Sequence, residues 1–356
     1  MKTIALKKGE AALITDRLTR KYLAGFDLAE GVLILGEKPA YFTDARYFYA
    51  AKDKIAPAGA EPILYTGTDV LKNYVEKNGI KTLYIDYDRT TVSECERYKT
   101  FGAEIKNCSE ELMQLRMIKS EEELACVKKA CEIIQEAYHN AIKLAKTGVT
   151  EKEIADKIRS EIIRLGGEGE SFETIVAFGA NAAVPHHETG ETKLKDNECV
   201  LMDFGCLYKG YCSDMTRTMF YGEPTEAFRK AYLAVLTAHT KAAEGIKEGI
   251  SGKEADKIAR DVLESLGYGK YFTHSLGHGI GVNIHEYPTL SPRGEARLKN
   301  NMVFSNEPGV YLNGKFGIRI EDSCHLVNGK YKSFMKDDKS LIILGGDKIK
   351  KEKLYK

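Results

Sequence analysis

Two predicted β-hairpins each carry a pair of acidic residues inside otherwise apolar strands. The first runs Val200-Leu201-Met202-Asp203-Phe204-Gly205, turns near Tyr208-Lys209-Gly210, and returns through Ser213-Asp214-Met215-Thr216-Arg217-Thr218. Folded about Tyr208/Lys209, it sets Asp203 opposite Asp214. The second runs from Val303 to Gly309, turns at Asn313-Gly314, and returns through Gly317-Ile318-Arg319-Ile320-Glu321-Asp322. Folded about Gly314, it sets Glu307 opposite Glu321. Like charges directly opposite on a sheet repel, and unpaired carboxylates are costly to bury. Two such pairs point to a cation cluster, most simply two divalent metals.

A histidine flanked by glycines, in Ser275-Leu276-Gly277-His278-Gly279-Ile280-Gly281, adds an imidazole where the backbone can approach closely. A lone histidine is more often a hydrogen-bonded structural residue, but beside four unexplained carboxylates His278 reads as a fifth ligand. The set is mostly hard oxygen and suits manganese or cobalt, with iron or zinc as alternatives. Two such ions can generate hydroxide and polarise a carbonyl. His186, after Pro185, and His285, in Ile284-His285-Glu286-Tyr287-Pro288, are further functional candidates. His139, His239 and His325 have no supporting context and read as surface or structural residues. Rival motifs fail. Gly309 to Lys315 nearly matches a P-loop, but Phe316 replaces the required Ser/Thr; His285-Glu286 is not H-E-x-x-H because residue 289 is Thr. No G-x-S-x-G elbow occurs, so metal-activated water is a better nucleophile than serine or cysteine.

The elements that position these residues repeat. Gly148-Val149-Thr150-Glu151-Lys152-Glu153 aligns with Gly249-Ile250-Ser251-Gly252-Lys253-Glu254, and each opens an S/T-x-x-E capping box. Each capped helix stops at a glycine, Gly166 and Gly267, at the same offset. A longer helix starts at the Ser120 cap and runs to about Lys146. Each half therefore holds a long helix, a shorter capped helix, a strand region and a hairpin with one acidic pair. The expected fold is a pseudo-symmetric α+β domain with its site between the halves. Ahead of it lies a small α/β region with strands over 31–35 and 82–86 and a helix over 68–77. The boundary is expected at 115/116.

Composition narrows the function classes. The 356 residues carry a net charge of +1 with interspersed signs, so no nucleic-acid or membrane surface is indicated. No stretch approaches the roughly 18 apolar residues of a membrane span. Lys7, Lys8 and Glu10 interrupt the N-terminal apolar residues, and the eight cysteines form no C-x-x-C pair. Reduced thiols in a cytoplasmic protein are the expectation.

Seven stretches, in order, resemble the pita-bread metallopeptidases, a family that includes methionine aminopeptidase, Xaa-Pro aminopeptidase and Xaa-Pro dipeptidase (prolidase). They are Pro185-His186, Met202 to Gly205, Ser213 to Thr218, Gly277 to Gly281, His285-Glu286-x-Pro288, Glu307-Pro308-Gly309 and Arg319 to Asp322. The resemblance implies a pita-bread catalytic domain over 116–356 after a creatinase-like N-terminal domain over 1–115. It implies metal ligation by Asp203, Asp214, His278, Glu307 and Glu321, with Asp214 and Glu321 bridging two ions, manganese first among the choices. It implies that His186 and His285 contact substrate, that Glu307 also shuttles a proton, and that Arg319 holds substrate or the ligand shell. Short methionine aminopeptidases lack the N-terminal domain, which points to the Xaa-Pro branch. The expected activity is an Xaa-Pro aminopeptidase that uses metal-activated hydroxide on peptides with proline second, with prolidase as the alternative. A non-catalytic peptide-binding module is a remote third reading, disfavoured because no ligand is missing. Relatives imply a homodimer.

Overall fold

The structure, a computed structural model, describes residues 1–345 and 348–354. The chain forms two compact units, Met1–Arg116 and Met117–Lys356. In the first, the mixed sheet runs in the order Glu61–Leu64, Ala40–Thr43, Val32–Leu35, Glu10–Ile14, Thr82–Ile85 and Glu104–Asn107. The helix Thr68–Lys77 places Leu71, Tyr74 and Val75 at helical spacing against Leu13, Phe42 and Leu83 of this sheet.

The second unit shows the repeat expected from its caps. Glu121–Ala141 begins with a full capping box between Ser120 and Glu123, and it ends earlier than Lys146, passing into a 3₁₀ turn over Ile142–Leu144. Glu151–Arg164 and Gly252–Ser265 open with the Thr150/Glu153 and Ser251/Glu254 boxes. Both stop where Gly166 and Gly267 adopt φ of 92° and 81°, a conformation that favours glycine. The long partner in the second half is Glu226–Gly245.

Each helix pair is followed by a sheet. The first sheet runs Lys348–Glu352, Leu341–Gly345, Met215–Tyr221, Glu198–Phe204, Ile175–Phe178. Along Glu198–Phe204, Val200, Met202 and Phe204 join Val127, Ile134, Tyr138, Ile154 and Ile158 in the core. Strand alternation then turns Asp203 to the opposite face. The second sheet runs Glu286–Leu290, Gly277–Gly279, Val303–Asn306, Asp322–Val327, Lys330–Ser333.

The two acidic hairpins differ in register. Asn306 pairs with Asp322, and Gly309 pairs with Arg319, so the ladders on either side bracket Glu307 and Glu321 in the expected register. In the first hairpin Asp203 faces Thr216, not Asp214. The turn residues are Lys209 and Gly210, both at positive φ, between the paired Tyr208 and Tyr211. A two-residue turn of that kind moves the fold axis one residue along the chain and the pairing by two. Asp214 is thus a diagonal neighbour of Asp203, just before the strand Met215–Tyr221.

A candidate metal centre and its surroundings

The five expected ligands, Asp203, Asp214, His278, Glu307 and Glu321, all line one cavity of about 940 Å³. His186, His285 and Arg319 line it too. Single ligand atoms of Asp214, His278 and Glu321 lie within 4.8 Å of one another. His278 Nε2 stands 3.5 Å from Asp214 Oδ2 and 3.3 Å from Glu307 Oε1. Its Nδ1 lies 3.1 Å from the Gly279 carbonyl, which assigns the proton to Nδ1 and turns the Nε2 lone pair toward the acids. A lone pair in that position can ligate a cation shared with the two carboxylates.

The carboxylates make the same demand. Asp203 Oδ1, Asp214 Oδ1 and Glu321 Oε1 are buried and have no hydrogen-bond partner among the described residues. Orphaned buried oxygens are rare in folded proteins because each loses its hydration for nothing. Burial pushes all three carboxyls above their ordinary range, most strongly Asp214 and Glu321. Mutual repulsion adds to this, through Asp203 on Asp214 and through Asp214 on Glu321, while Arg319 opposes it at Asp203. The Asp214 and Glu321 carboxylates, gathered with the His278 imidazole, fit a divalent cation with oxygen-rich ligation, while Asp203 and Glu307 line the same cavity outside that close group.

A buried frame holds these groups. Arg319 donates through Nη2 to Asp203 at 2.5 Å, through Nε to the Thr216 hydroxyl at 3.0 Å, and through Nη1 to the Tyr311 hydroxyl at 2.7 Å. It therefore anchors the Asp203 carboxylate, one of the expected ligands. The Ser305 hydroxyl accepts from the His278 N–H and donates to Glu307 Oε1, each at 3.0 Å. Arg217 pairs with Asp322 at 2.9 Å and also donates to the Glu321 carbonyl. Burial alone would raise Asp322, but Arg217 and Lys339 hold it well below the usual carboxylate range.

His186 is exposed at the cavity, and the loop that carries it is pinned from behind. Glu151, fully buried at the start of Glu151–Arg164, accepts from the Phe178 N–H and Asn181 Nδ2, both at 2.9 Å, and from the Gly190 N–H at 3.2 Å. Its Oε2 also meets His187 Nε2 at 2.9 Å. The His285 ring meets the His278 ring edge-on, with centroids 4.3 Å apart. The ladder between Gly277–Gly279 and Glu286–Leu290 shifts register after His278, which lets a seven-residue spacing bring both rings to one side. Burial lowers the His285 pKa, so its ring is neutral at pH 7.

Sequence reasoning passed over His274. It lines the cavity, and its Nε2 lies 2.8 Å from the Tyr311 hydroxyl. Its spacing of four from His278 was the available signal, since an even spacing in an extended segment shares a face. Among the histidines read as structural, His239 is buried 3.8 Å from Asp322, His325 stacks on Phe334 at 4.2 Å, and His139 pairs with Asp337 at 3.0 Å. None of the three lines the cavity.

Comparison with known proteins identifies the family. Residues 125–328 match metallopeptidase family M24, and residues 2–118 match the creatinase/prolidase N-terminal domain. The chain is 35% identical over 340 residues to the uncharacterized peptidase YqhT of Bacillus subtilis (strain 168), covering 94% of this chain and 96% of that one. Among solved structures it is similar to an Xaa-Pro dipeptidase from Bacillus anthracis, with TM-score 0.90 and 35% identity over 94% of this chain and 95% of the other. It is also similar to an X-Pro aminopeptidase from Thermotoga maritima MSB8, with TM-score 0.86 and 34% identity over 95% and 97%. A creatinase-type N-terminal domain, a pita-bread catalytic domain and a cavity of convergent acids together place this chain in metallopeptidase family M24.

Proposed function

We propose that the protein is a dinuclear metal-dependent exopeptidase that cleaves after the first residue of peptides with proline second. The observation that carries this reading is the set of three orphaned buried carboxylate oxygens beside His278, in a cavity that His186 and His285 also line. Asp203, Asp214, His278, Glu307 and Glu321 would hold two divalent cations, manganese first. Such ions acidify water and polarise a carbonyl oxygen.

The remaining work falls to side chains. Neutral His285 carries one ring N–H and, with His186, can donate to the oxygen on which charge develops as the peptide carbonyl is attacked. Glu307 accepts a proton at its carboxylate and returns it to the departing proline nitrogen. That nitrogen belongs to a tertiary amide with no N–H, so enzymes that grip the scissile N–H lose a contact there. A site that grips the free amine and the carbonyl does not.

Aminopeptidase action on longer peptides is the first reading. The cavity of about 940 Å³ lies near the top of the roughly 300–1,000 Å³ range of ligand pockets, leaving room beyond a dipeptide. One observation favours a dipeptidase. Arg293 lines the same cavity and has no ion-pair partner among the described residues, which suits a substrate carboxylate. The manganese-loaded enzyme should be compared on Ala-Pro and Ala-Pro-Ala by release of free alanine. Faster release from the tripeptide supports the aminopeptidase; release from the dipeptide alone, lost in Arg293→Ala, supports the dipeptidase. Cytoplasmic residence and a homodimer complete the reading, the latter tested by light scattering.

A further inference from the structure

We propose that Lys119 is a positioning residue for His285, acting through a buried ion pair with Glu286. The proposal rests on the role given to His285 above. Lys119 is 3% exposed, and its Nζ lies 2.7 Å from Glu286 Oε1, across 167 residues of sequence. A buried ion pair is poor evidence for stability, because desolvating two charges offsets most of their attraction. Its better-attested use is to select one conformation over others.

The conformation at stake is the loop from Gly281 to Glu286. The Glu286 carboxylate is folded back into the mouth of that loop: a Cβ built on Gly281 would stand 2.1 Å from Glu286 Oε1. Glu286 Oε2 faces the Asn283 N–H at 3.5 Å. The loop begins beside the strand that carries His278 and ends at His285. The ladder takes up Glu286, opposite Gly279, only after a register shift past His278, so backbone pairing holds the loop at Glu286 and not at His285. Lys119 itself is held firmly. Its N–H donates to the Asn301 carbonyl at 3.0 Å, and Ile118 bridges to Met302, next to the strand Val303–Asn306. Strand Val303–Asn306 in turn pairs with the strand bearing His278. Lys119 thus ties the carboxylate next to His285 to the same frame that holds His278. Losing the tie loosens the loop and lets the His285 ring shift relative to His278.

The test combines Lys119→Met, Glu286→Gln and His285→Ala in the full chain, loaded with manganese and assayed on Ala-Pro-Ala. Misplacing a catalytic group by about 1 Å can cost on the order of 100-fold, so Lys119→Met is expected to lower kcat about 10- to 100-fold. KM and metal stoichiometry should stay near wild type. In the His285→Ala background, Lys119→Met should cost nothing further, since there is no imidazole left to misplace. In metal-free protein, amide exchange across residues 281–286 should quicken while that of Glu198–Phe204 stays unchanged. Where Lys119→Met fails to fold, Glu286→Gln keeps the shape and carries the same comparison, and Lys119→Arg should restore part of the rate. Multiplying effects of Lys119→Met and His285→Ala, or unchanged exchange across 281–286, would overturn the proposal for Lys119 alone. A fully active His285→Ala enzyme would overturn the role given to His285, and this proposal with it.

Discussion

The Thr216 hydroxyl donates to Glu321 Oε2 at 2.6 Å across 105 residues of sequence. The same hydroxyl oxygen accepts from Arg319 Nε at 3.0 Å, so one threonine orients a carboxylate from the other half of the repeat. Thr216→Val keeps the shape and removes both bonds. Partners of this kind typically contribute 10- to 100-fold to metal affinity, so about that loss is expected with the fold intact. Manganese titration against a competing chelator reads it. Unchanged affinity would mean that Glu321 is oriented by its backbone alone.

Removing metal exposes the cost of the acidic cluster, and the sign of its pH dependence follows from the raised carboxyls. Asp203, Asp214 and Glu321 all have folded-state pKa values above their ordinary ones. Their favourable contribution to metal-free protein is therefore complete below about pH 4 and is lost as pH rises through the raised values. Cations reverse that loss. The gap in melting temperature between manganese-loaded and metal-free protein should be wider at about pH 8 than at about pH 5.5. Asp214→Asn or Glu321→Gln should abolish metal binding and turnover together. A gap independent of pH, or full metal content in either variant, counts against the assigned ligands.

Glu151 gives a prediction for the opposite wall. Its buried carboxylate accepts from the Phe178 and Gly190 N–H groups and from Asn181, and it meets His187 beside His186. Glu151→Gln turns an amide NH₂ toward groups that are themselves donors. A loss of about 1–3 kcal/mol in stability is expected from the group left unpaired. The released loop should raise KM with metal content unchanged. Wild-type KM at reduced stability would confine Glu151 to a structural role.

Much of this arrangement could be read from the chain because its punctuation is local. The Thr150 and Ser251 boxes and the glycines that end their helices are decided within a few residues, and the structure keeps them at those positions. The second hairpin was legible because Gly314, at φ 69°, marks the centre of its loop. The first was misread by two residues because Lys209 occupies a positive-φ turn position that more often belongs to Asn or Gly. His274 was missed for a different reason. Its significance lies in Tyr311, which sits 37 residues away and becomes its neighbour only when the second half folds.

That contact belongs to a hydrogen-bonded chain that runs from Asp203 through Arg319 and Tyr311 to His274 at the cavity wall. The Tyr311 hydroxyl accepts from Arg319, so its own proton points to His274 Nε2, 2.8 Å away. Burial pushes the Tyr311 hydroxyl up to about 12, so it keeps that proton at neutral pH. His274 Nδ1 lies 2.8 Å from the Ser275 carbonyl, and burial lowers the ring's pKa, so His274 is neutral with its Nδ1–H donated to the backbone. Tyr311→Phe removes one hydroxyl, leaving His274 Nε2 without its partner and Arg319 Nη1 with only the Pro185 carbonyl at 3.4 Å. Arg319 keeps its bonds to Asp203 and Thr216, so metal stoichiometry should hold. The freed imidazole loses its orientation at the cavity wall, and kcat/KM should fall about 10-fold, matching a loss near 1.4 kcal/mol in transition-state stabilisation. Loss of one metal in Tyr311→Phe would instead show that Tyr311 acts through Arg319 on Asp203, and that His274 is a bystander.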